Sequence, residues 1–206
     1  MLALIQRELQ DHIVYVVLAG LTTAVVLIVA ILTTWWGMAA AGLGIGGAAT
    51  AMFLVIFSVF GAAQMYTDRA NRISALLATL AVTRTRILAA RVLTGVVLIL
   101  AMLVPLLVTA VVILYTLEKP LAFYWGSIAE VSVTLALTCV AGYSVGLLMG
   151  WTANKAVPAV SALFGMLLVM LLVMIKGFGL TVIALLLLFI IASLLQVWHR
   201  FTSVSL

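Results

Sequence analysis

The chain has 206 residues, of which 67% are hydrophobic and only 7% are charged, whereas soluble domains are about 45–50% apolar and about 25% charged. Ten basic and five acidic residues are too few to cover a water-soluble fold, so the composition excludes a soluble domain and indicates that lipid covers most of the protein. The net charge of +5 fits either nucleic acid or an anionic membrane surface, and the positions of the charges must decide between them.

The first twelve residues are predicted to form an amphipathic helix that lies along the membrane surface. Leu2, Ile5 and Leu9 recur at helical spacing, whereas Arg7 lies on another face. The apolar run that follows has an alternative interpretation as a cleavable signal peptide, because small residues follow it at 39–41. That run is about 24 residues long, against 7–15 in a usual signal peptide, and its length favours a membrane span.

Six apolar stretches are long enough to cross a bilayer, which takes about 20 residues of helix. They comprise residues 13–36, 43–66, 92–117, 126–151, 156–175 and 180–198. All five tryptophans lie at the ends of these stretches, where an indole ring can sit among the lipid headgroups. We therefore predict an all-α, polytopic membrane protein with six transmembrane helices in a single domain, residues 1–206.

The basic residues are distributed unequally between the two sides of the predicted bundle. With the N-terminus inside, the cytoplasmic set is Arg7, Arg69, Arg72, Arg84, Arg86, Arg91, Lys155 and Arg200. Only Lys119 and Lys176 lie outside. Because cytoplasmic loops carry the excess of Lys and Arg, both termini are predicted to be cytoplasmic, and the charge is assigned to the membrane surface rather than to nucleic acid.

Most of the informative polar sequence lies in one cytoplasmic connection, residues 67–91. Within it Ile73, Leu76, Leu77 and Leu80 recur at helical spacing, which predicts an amphipathic helix. Two interpretations stay open. The basic charge is typical of any cytoplasmic loop, with the apolar face resting on lipid; alternatively, the helix is a docking site that a soluble subunit grips.

Two features of the spans concern helix shape and packing. Gly142, Gly146 and Gly150 follow one another at four-residue intervals, and small residues at this spacing allow a second helix backbone to come close. That second helix belongs either to this chain or to another copy. Pro105, deep in the third span, removes a backbone hydrogen bond and predicts a kink, which serves either gating or shape alone.

Glu130 is the acidic residue that the pattern places in the hydrocarbon, five residues past Trp125 and about 7 Å along a helix. A carboxylate at that position is a functional candidate, in translocation or gating. Alternatively, it reaches the outer headgroups or pairs with Lys119 or Lys176.

Residues for chemistry are otherwise scarce. No paired carboxylates or clustered histidines are present, Cys139 is the one cysteine, and no phosphate-binding loop motif occurs. We expect neither a metal site nor an enzyme in this chain.

The connection at 67–91 resembles the segment between spans two and three of ABC-2 type transporter permeases. The matching pieces are Leu76-Leu77-Ala78-Thr79, Val82-Thr83-Arg84 and the basic residue Arg91 that opens span three. The amphipathic N-terminus and the six-span layout with both ends inside are similar as well. The resemblance implies a transmembrane permease subunit of an exporter in the inner membrane of a prokaryote.

The resemblance also implies partners and a coupling element. Two permease copies, or this chain and a similar one, would form the translocation path. Two copies of a cytoplasmic ATPase, which would carry the ATP and Mg, would dock on the inner loops. The implied coupling residues are Asp68, Arg69, Arg72, Leu76, Leu77, Leu80, Thr83 and Arg84. Three alternatives stay open: a haem-exporter-like subunit of cytochrome c maturation, a non-transporting anchor or assembly subunit, and a small channel or ion-coupled carrier that uses Glu130.

Overall fold

A computed structural model describes most of the apolar sequence. The described parts are residues 13–35, 39–71, 84–116, 121–150 and 179–203, together with Gln10, Val160, Leu167 and Leu171. In these parts the chain forms five helices: α1 (Ile13–Trp35), α2 (Ala39–Asn71), α3 (Arg84–Thr116), α4 (Leu121–Met149) and α5 (Leu180–Ser203). The predicted interfacial helix at 1–12 and the predicted span at 156–175 lie outside them, apart from the four single positions.

Four of the described helices are long and apolar enough to cross a membrane. Their apolar segments are Ile13–Leu32, Thr85–Ile113, Ala129–Met149 and Leu180–Phe201, and α2 contributes a shorter one, Ala51–Thr67. The all-α, multi-pass membrane class is therefore confirmed. The number of six spans and the orientation stay predictions.

The helix α4 lies at the centre of the described bundle. In an 18-residue apolar window of α4, 61% of the residues are buried, against 17% in the corresponding windows of α1 and α3 and 28% in that of α5. It packs most extensively against α2 and also contacts α3 and α5, while α1 packs on α2 and α3. The outer helices therefore present apolar faces to the surroundings, as expected when lipid takes the place of water.

Aromatic residues of α2 form the packing centre. Phe53, Phe57 and Phe60 recur on one helical face and are almost completely buried. The Phe60 ring stacks on Tyr143 of α4 with a centroid distance of 5.9 Å and meets the edge of Tyr15 of α1 at 6.0 Å. These contacts fix α1, α2 and α4 against one another.

Helix continues into the predicted connection at 67–91 from both sides. The last residue of α2 is Asn71 and α3 begins at Arg84, so the third helix starts eight residues before the predicted span at 92–117. The physical reason is an apolar face on the first turns of α3. Ile87 and Leu88 are buried in the same cluster as Val197 and Phe201, and their burial favours helix before the continuous apolar run begins.

Candidate functional site

A group of buried side chains, three of which carry polar groups, lies at the end of the bundle near Asn71 of α2 and Arg84 of α3, which we call the loop end. Gln64 and Met65 come from α2, Arg91 from α3 and Tyr143 from α4, and each is at most 2% exposed. We call these four residues the loop-end cluster. Charged and polar groups inside transmembrane helices are costly and are functional-site candidates for that reason.

The Tyr143 hydroxyl connects the three helices. Its oxygen lies 2.6 Å from Gln64 Oε1, to which it donates, and 3.0 Å from the backbone carbonyl oxygen of Arg91, which is a second acceptor. Both oxygen–oxygen distances are within the range of an ordinary O–H···O hydrogen bond. One side chain of the central helix therefore reaches both α2 and α3.

Helical register places Arg91 on the core face of α3. Ile87 and Leu88 precede it by four and three residues, Leu98 follows by seven, and all three are buried, so the arginine shares their face. Its Nη1 lies 3.9 Å from the Met65 sulfur of α2. The guanidinium group is thereby held between α2 and α3 rather than extended to the membrane surface.

Two glycines make room for the tyrosine. An added Cβ at Gly95 of α3 would overlap the Tyr143 ring, and one at Gly61 of α2 would lie 2.5 Å from the Tyr143 carbonyl oxygen. Neither position tolerates a side chain while the ring stays in place. The Tyr143 ring thus lies in a notch formed by glycines of two neighbouring helices.

The three predicted packing glycines, two in α4 and Gly150 directly after it, lie against α2 of the same chain. An added Cβ would overlap the Ser58 carbonyl at Gly146, and at Gly150 it would lie 2.5 Å from the Ala62 carbonyl oxygen. At Gly142, Ser58 Oγ donates to the glycine carbonyl at 3.0 Å. We call this face the α2–α4 glycine seam.

The other predicted residues of the spans lie apart from the loop-end cluster. Glu130 is exposed on α4, thirteen residues before Tyr143, which corresponds to about 20 Å along the helix. Pro105 is exposed within α3, where Thr109 Oγ1 donates to its carbonyl at 2.9 Å. The structure brings neither residue into contact with the cluster.

The predicted coupling residues fall at the edges of the described structure. Asp68 and Arg69 lie in the last turn of α2, and Arg84 is the first residue of α3. The remaining coupling residues lie outside the described residues: Arg72, Leu76, Leu77, Leu80 and Thr83.

None of the four members of the cluster is predicted as a site residue by the sequence analysis. Arg91 is named there only as the basic residue that opens the third span, and the other three are not singled out. One signal was present in the sequence, because Arg91 shares a helical face with Ile87, Leu88 and Leu98. A cation on an otherwise apolar face predicts burial in the bundle rather than exposure at its rim.

Among the described residues, no three His, Cys, Asp or Glu side chains lie close enough to hold a metal ion. No protein-family model, curated protein or solved structure matches the chain. The resemblance of residues 67–91 to ABC-2 type permeases therefore stays a prediction, and the geometry of the bundle must support any function.

Proposed function

We propose that this chain is the transmembrane permease subunit of an ATP-driven exporter and that a separate cytoplasmic ATPase, in two copies, carries the ATP and Mg. A second copy of the chain, or a similar permease, completes the path. One observation carries the proposal. The segment with the family resemblance joins α2 and α3 directly beyond the cluster that links both helices to α4.

The spacing on the two helices is equal. Gln64 precedes the end of α2 at Asn71 by seven residues, and Arg91 follows the start of α3 at Arg84 by seven. At about 1.5 Å per residue, each side chain lies about 10 Å from the connecting segment. A protein that moves residues 72–83 would therefore act on both helices through two turns of rigid helix.

The distribution of charge in the helices favours a pump driven by a partner chain over an ion-coupled carrier. In the four apolar helices that the structure describes, the one acidic residue is Glu130, and it is exposed. Carriers driven by protons or ions use ionisable groups near the membrane midplane. The energy for transport is accordingly assigned to ATP on another chain, and the apolar faces favour amphiphilic substrates.

The test is co-purification of an ATPase from the native host in lipid nanodiscs. The wild-type chain is expected to retain a protein that has a phosphate-binding loop and hydrolyses ATP. Replacing Leu76, Leu77 and Leu80 by Asp places three charges on the predicted docking face, and retention should fall at least tenfold.

The matched control places the same three charges on the other side of the predicted helix, at Ser74, Ala75 and Ala78. This variant is expected to retain the ATPase. Equal loss in both variants would assign the effect to charge alone, and no ATPase in the wild-type preparation would refute the proposal. An ATPase that binds without any transport would instead favour the anchor or assembly subunit.

A further inference from the structure

The Tyr143 hydroxyl faces two acceptors but carries one proton. It donates to Gln64 Oε1 at 2.6 Å, and the Arg91 carbonyl oxygen lies 3.0 Å from the same phenolic oxygen. A phenol donates one hydrogen bond at a time. The hydroxyl therefore donates to α2 or to α3 at any one time. A second link forms only if Gln64 donates to it, because the Arg91 carbonyl oxygen can only accept.

Gln64 supplies the missing donor. Its Nε2 is buried and is one of two buried side-chain nitrogen or oxygen atoms without a hydrogen-bond partner among the described residues. Rotation of the amide by 180° brings Nε2 to the position of Oε1, from which it donates to Tyr143. The phenolic proton then goes to the Arg91 carbonyl, and one chain of hydrogen bonds runs from α2 through α4 to α3.

The two arrangements differ in how firmly α3 is held. With the amide oxygen facing Tyr143, the hydroxyl donates to α2 and does not donate to the Arg91 carbonyl of α3. With the amide nitrogen facing Tyr143, two hydrogen bonds form in place of one and both helices are held. Because the cluster is almost completely buried, water cannot readily replace either bond.

We infer that Tyr143 is a positioning residue that sets the separation of α2 and α3 at the loop end, by directing its one proton to Gln64 or to the Arg91 carbonyl. On the proposed function, on which this second step rests, a partner that moves residues 72–83 selects between the two arrangements. The motion of the connecting segment thereby reaches the central helix α4, which has no covalent link to that segment nearby.

The glycine notch allows the hydroxyl to be tested apart from the ring. A side chain at Gly95 would overlap the Tyr143 ring, and one at Gly61 would lie 2.5 Å from the Tyr143 backbone carbonyl oxygen, so both glycines make room for this residue between the helices. A phenylalanine fills the same notch and lacks only the hydroxyl. Tyr143→Phe therefore removes every hydrogen bond that the hydroxyl makes and leaves the ring packing in place.

The experiment measures the distance between α2 and α3 by pulsed electron spin resonance in lipid nanodiscs. The buried Cys139 is first replaced by Ala, and nitroxides are attached at Thr67 of α2 and the exposed Arg86 of α3. Tyr143→Phe should shift the mean distance by on the order of 1–2 Å, the scale of helix shifts in switching proteins, and widen the distribution. Gln64→Met removes the α2 amide that hydrogen-bonds to the Tyr143 hydroxyl, and it should also shift the mean distance.

Two controls isolate the loop end. Thr138→Val removes another buried hydroxyl, one that bonds only the Thr134 carbonyl of its own helix, and should leave the distance unchanged. A second label pair, at the exposed Met52 and Val104, reports the far half of α2 and α3 and should not respond. An unchanged Thr67–Arg86 distance in both Tyr143→Phe and Gln64→Met overturns the inference. If Tyr143→Phe does not accumulate as folded protein, an unchanged distance in Gln64→Met is enough to overturn it.

A second arm separates this inference from the proposed function. In the complex with its ATPase, ATP with vanadate should shift the Thr67–Arg86 distance in the wild-type chain and not in Tyr143→Phe. A nucleotide shift of equal size in both chains overturns the coupling role of the hydroxyl. If the first arm succeeds and nucleotide has no effect on the wild-type chain, the positioning role stands and the proposed exporter function fails.

Discussion

At the scale of single residues, the atoms around each glycine of the α2–α4 seam determine what a substitution costs. At Gly142 the nearest atom to an added Cβ is the end of the Leu54 side chain, at 2.9 Å, whereas at Gly146 the nearest atoms belong to the Ser58 backbone. A leucine methyl group can move by rotation about a side-chain bond. A backbone carbonyl moves only if the helix moves with it.

Gly146→Ala should therefore destabilise the protein more than Gly142→Ala. We expect a loss of about 1–3 kcal/mol in the free energy of unfolding at Gly146, the usual cost of overpacking, and a smaller loss at Gly142. The measurement is unfolding in mixed micelles. Gly20→Ala, where no atom lies within 4 Å of an added Cβ, is the control, and equal losses at all three positions would contradict the packing described.

Glu130 is predicted to contribute little to transport. Its side chain is exposed on α4 and lies about 20 Å along the helix from the loop-end cluster. Glu130→Gln should leave ATP-driven transport in reconstituted vesicles within about twofold of the wild-type rate, a change of less than 0.5 kcal/mol. The measurement is repeated across pH, since a pH-dependent loss of transport in this variant would favour the ion-coupled alternative.

The sequence predicted the membrane class and the position of the packing glycines, because both depend on patterns along one helix. It did not reveal the loop-end cluster, because Gln64, Arg91 and Tyr143 lie on three helices and their meeting depends on packing. Only Arg91 carried a local signal, through the buried residues that share its face. Contacts between distant segments leave no trace in hydrophobic periodicity.

At the scale of elements, α2 and α3 show why span boundaries were harder to predict than spans. Helix continues past the apolar run of α2 to Asn71, and α3 is helical from Arg84, although these turns contain charged residues. A transmembrane helix ends where its backbone stops being helical, and this position is not bound to coincide with the end of its apolar segment. Residues 72–83 are therefore joined directly to a helix on each side.

Pro105 offers a prediction about α3. Proline cannot donate to the Ala101 carbonyl, so Pro105→Ala adds one helical hydrogen bond and should raise the free energy of unfolding by about 1 kcal/mol. Val108→Ala, at a similarly exposed position one turn along α3, should produce no gain. The measurement is unfolding in mixed micelles together with transport in vesicles.

The transport result separates the two roles that the sequence left open for this proline. Transport that falls at least fivefold while stability rises assigns Pro105 to gating. Unchanged transport assigns it to helix shape. A loss of stability in Pro105→Ala would contradict the expected gain of a hydrogen bond.

At the scale of the whole molecule, the described helices form a bundle around α4, with apolar outer faces and a polar link at one end. The link lies where α2 and α3 are joined, and Arg86 and Arg200 are exposed near the same end. In the predicted orientation this end is cytoplasmic, the side on which a soluble ATPase would reach it. The position of the polar link, the exposed arginines near it and the connection between α2 and α3 all indicate the same end of the bundle as the place where a partner would act.

The central claim is that residues 72–83 bind an ATPase that drives this permease, and the most direct measurement is vanadate-sensitive ATP hydrolysis by the purified complex in nanodiscs. The account predicts activity with the wild-type chain, activity with Asp at positions 74, 75 and 78, and at least a tenfold loss with Asp at 76, 77 and 80. Equal activity in all three preparations, or none in the wild type, would contradict it.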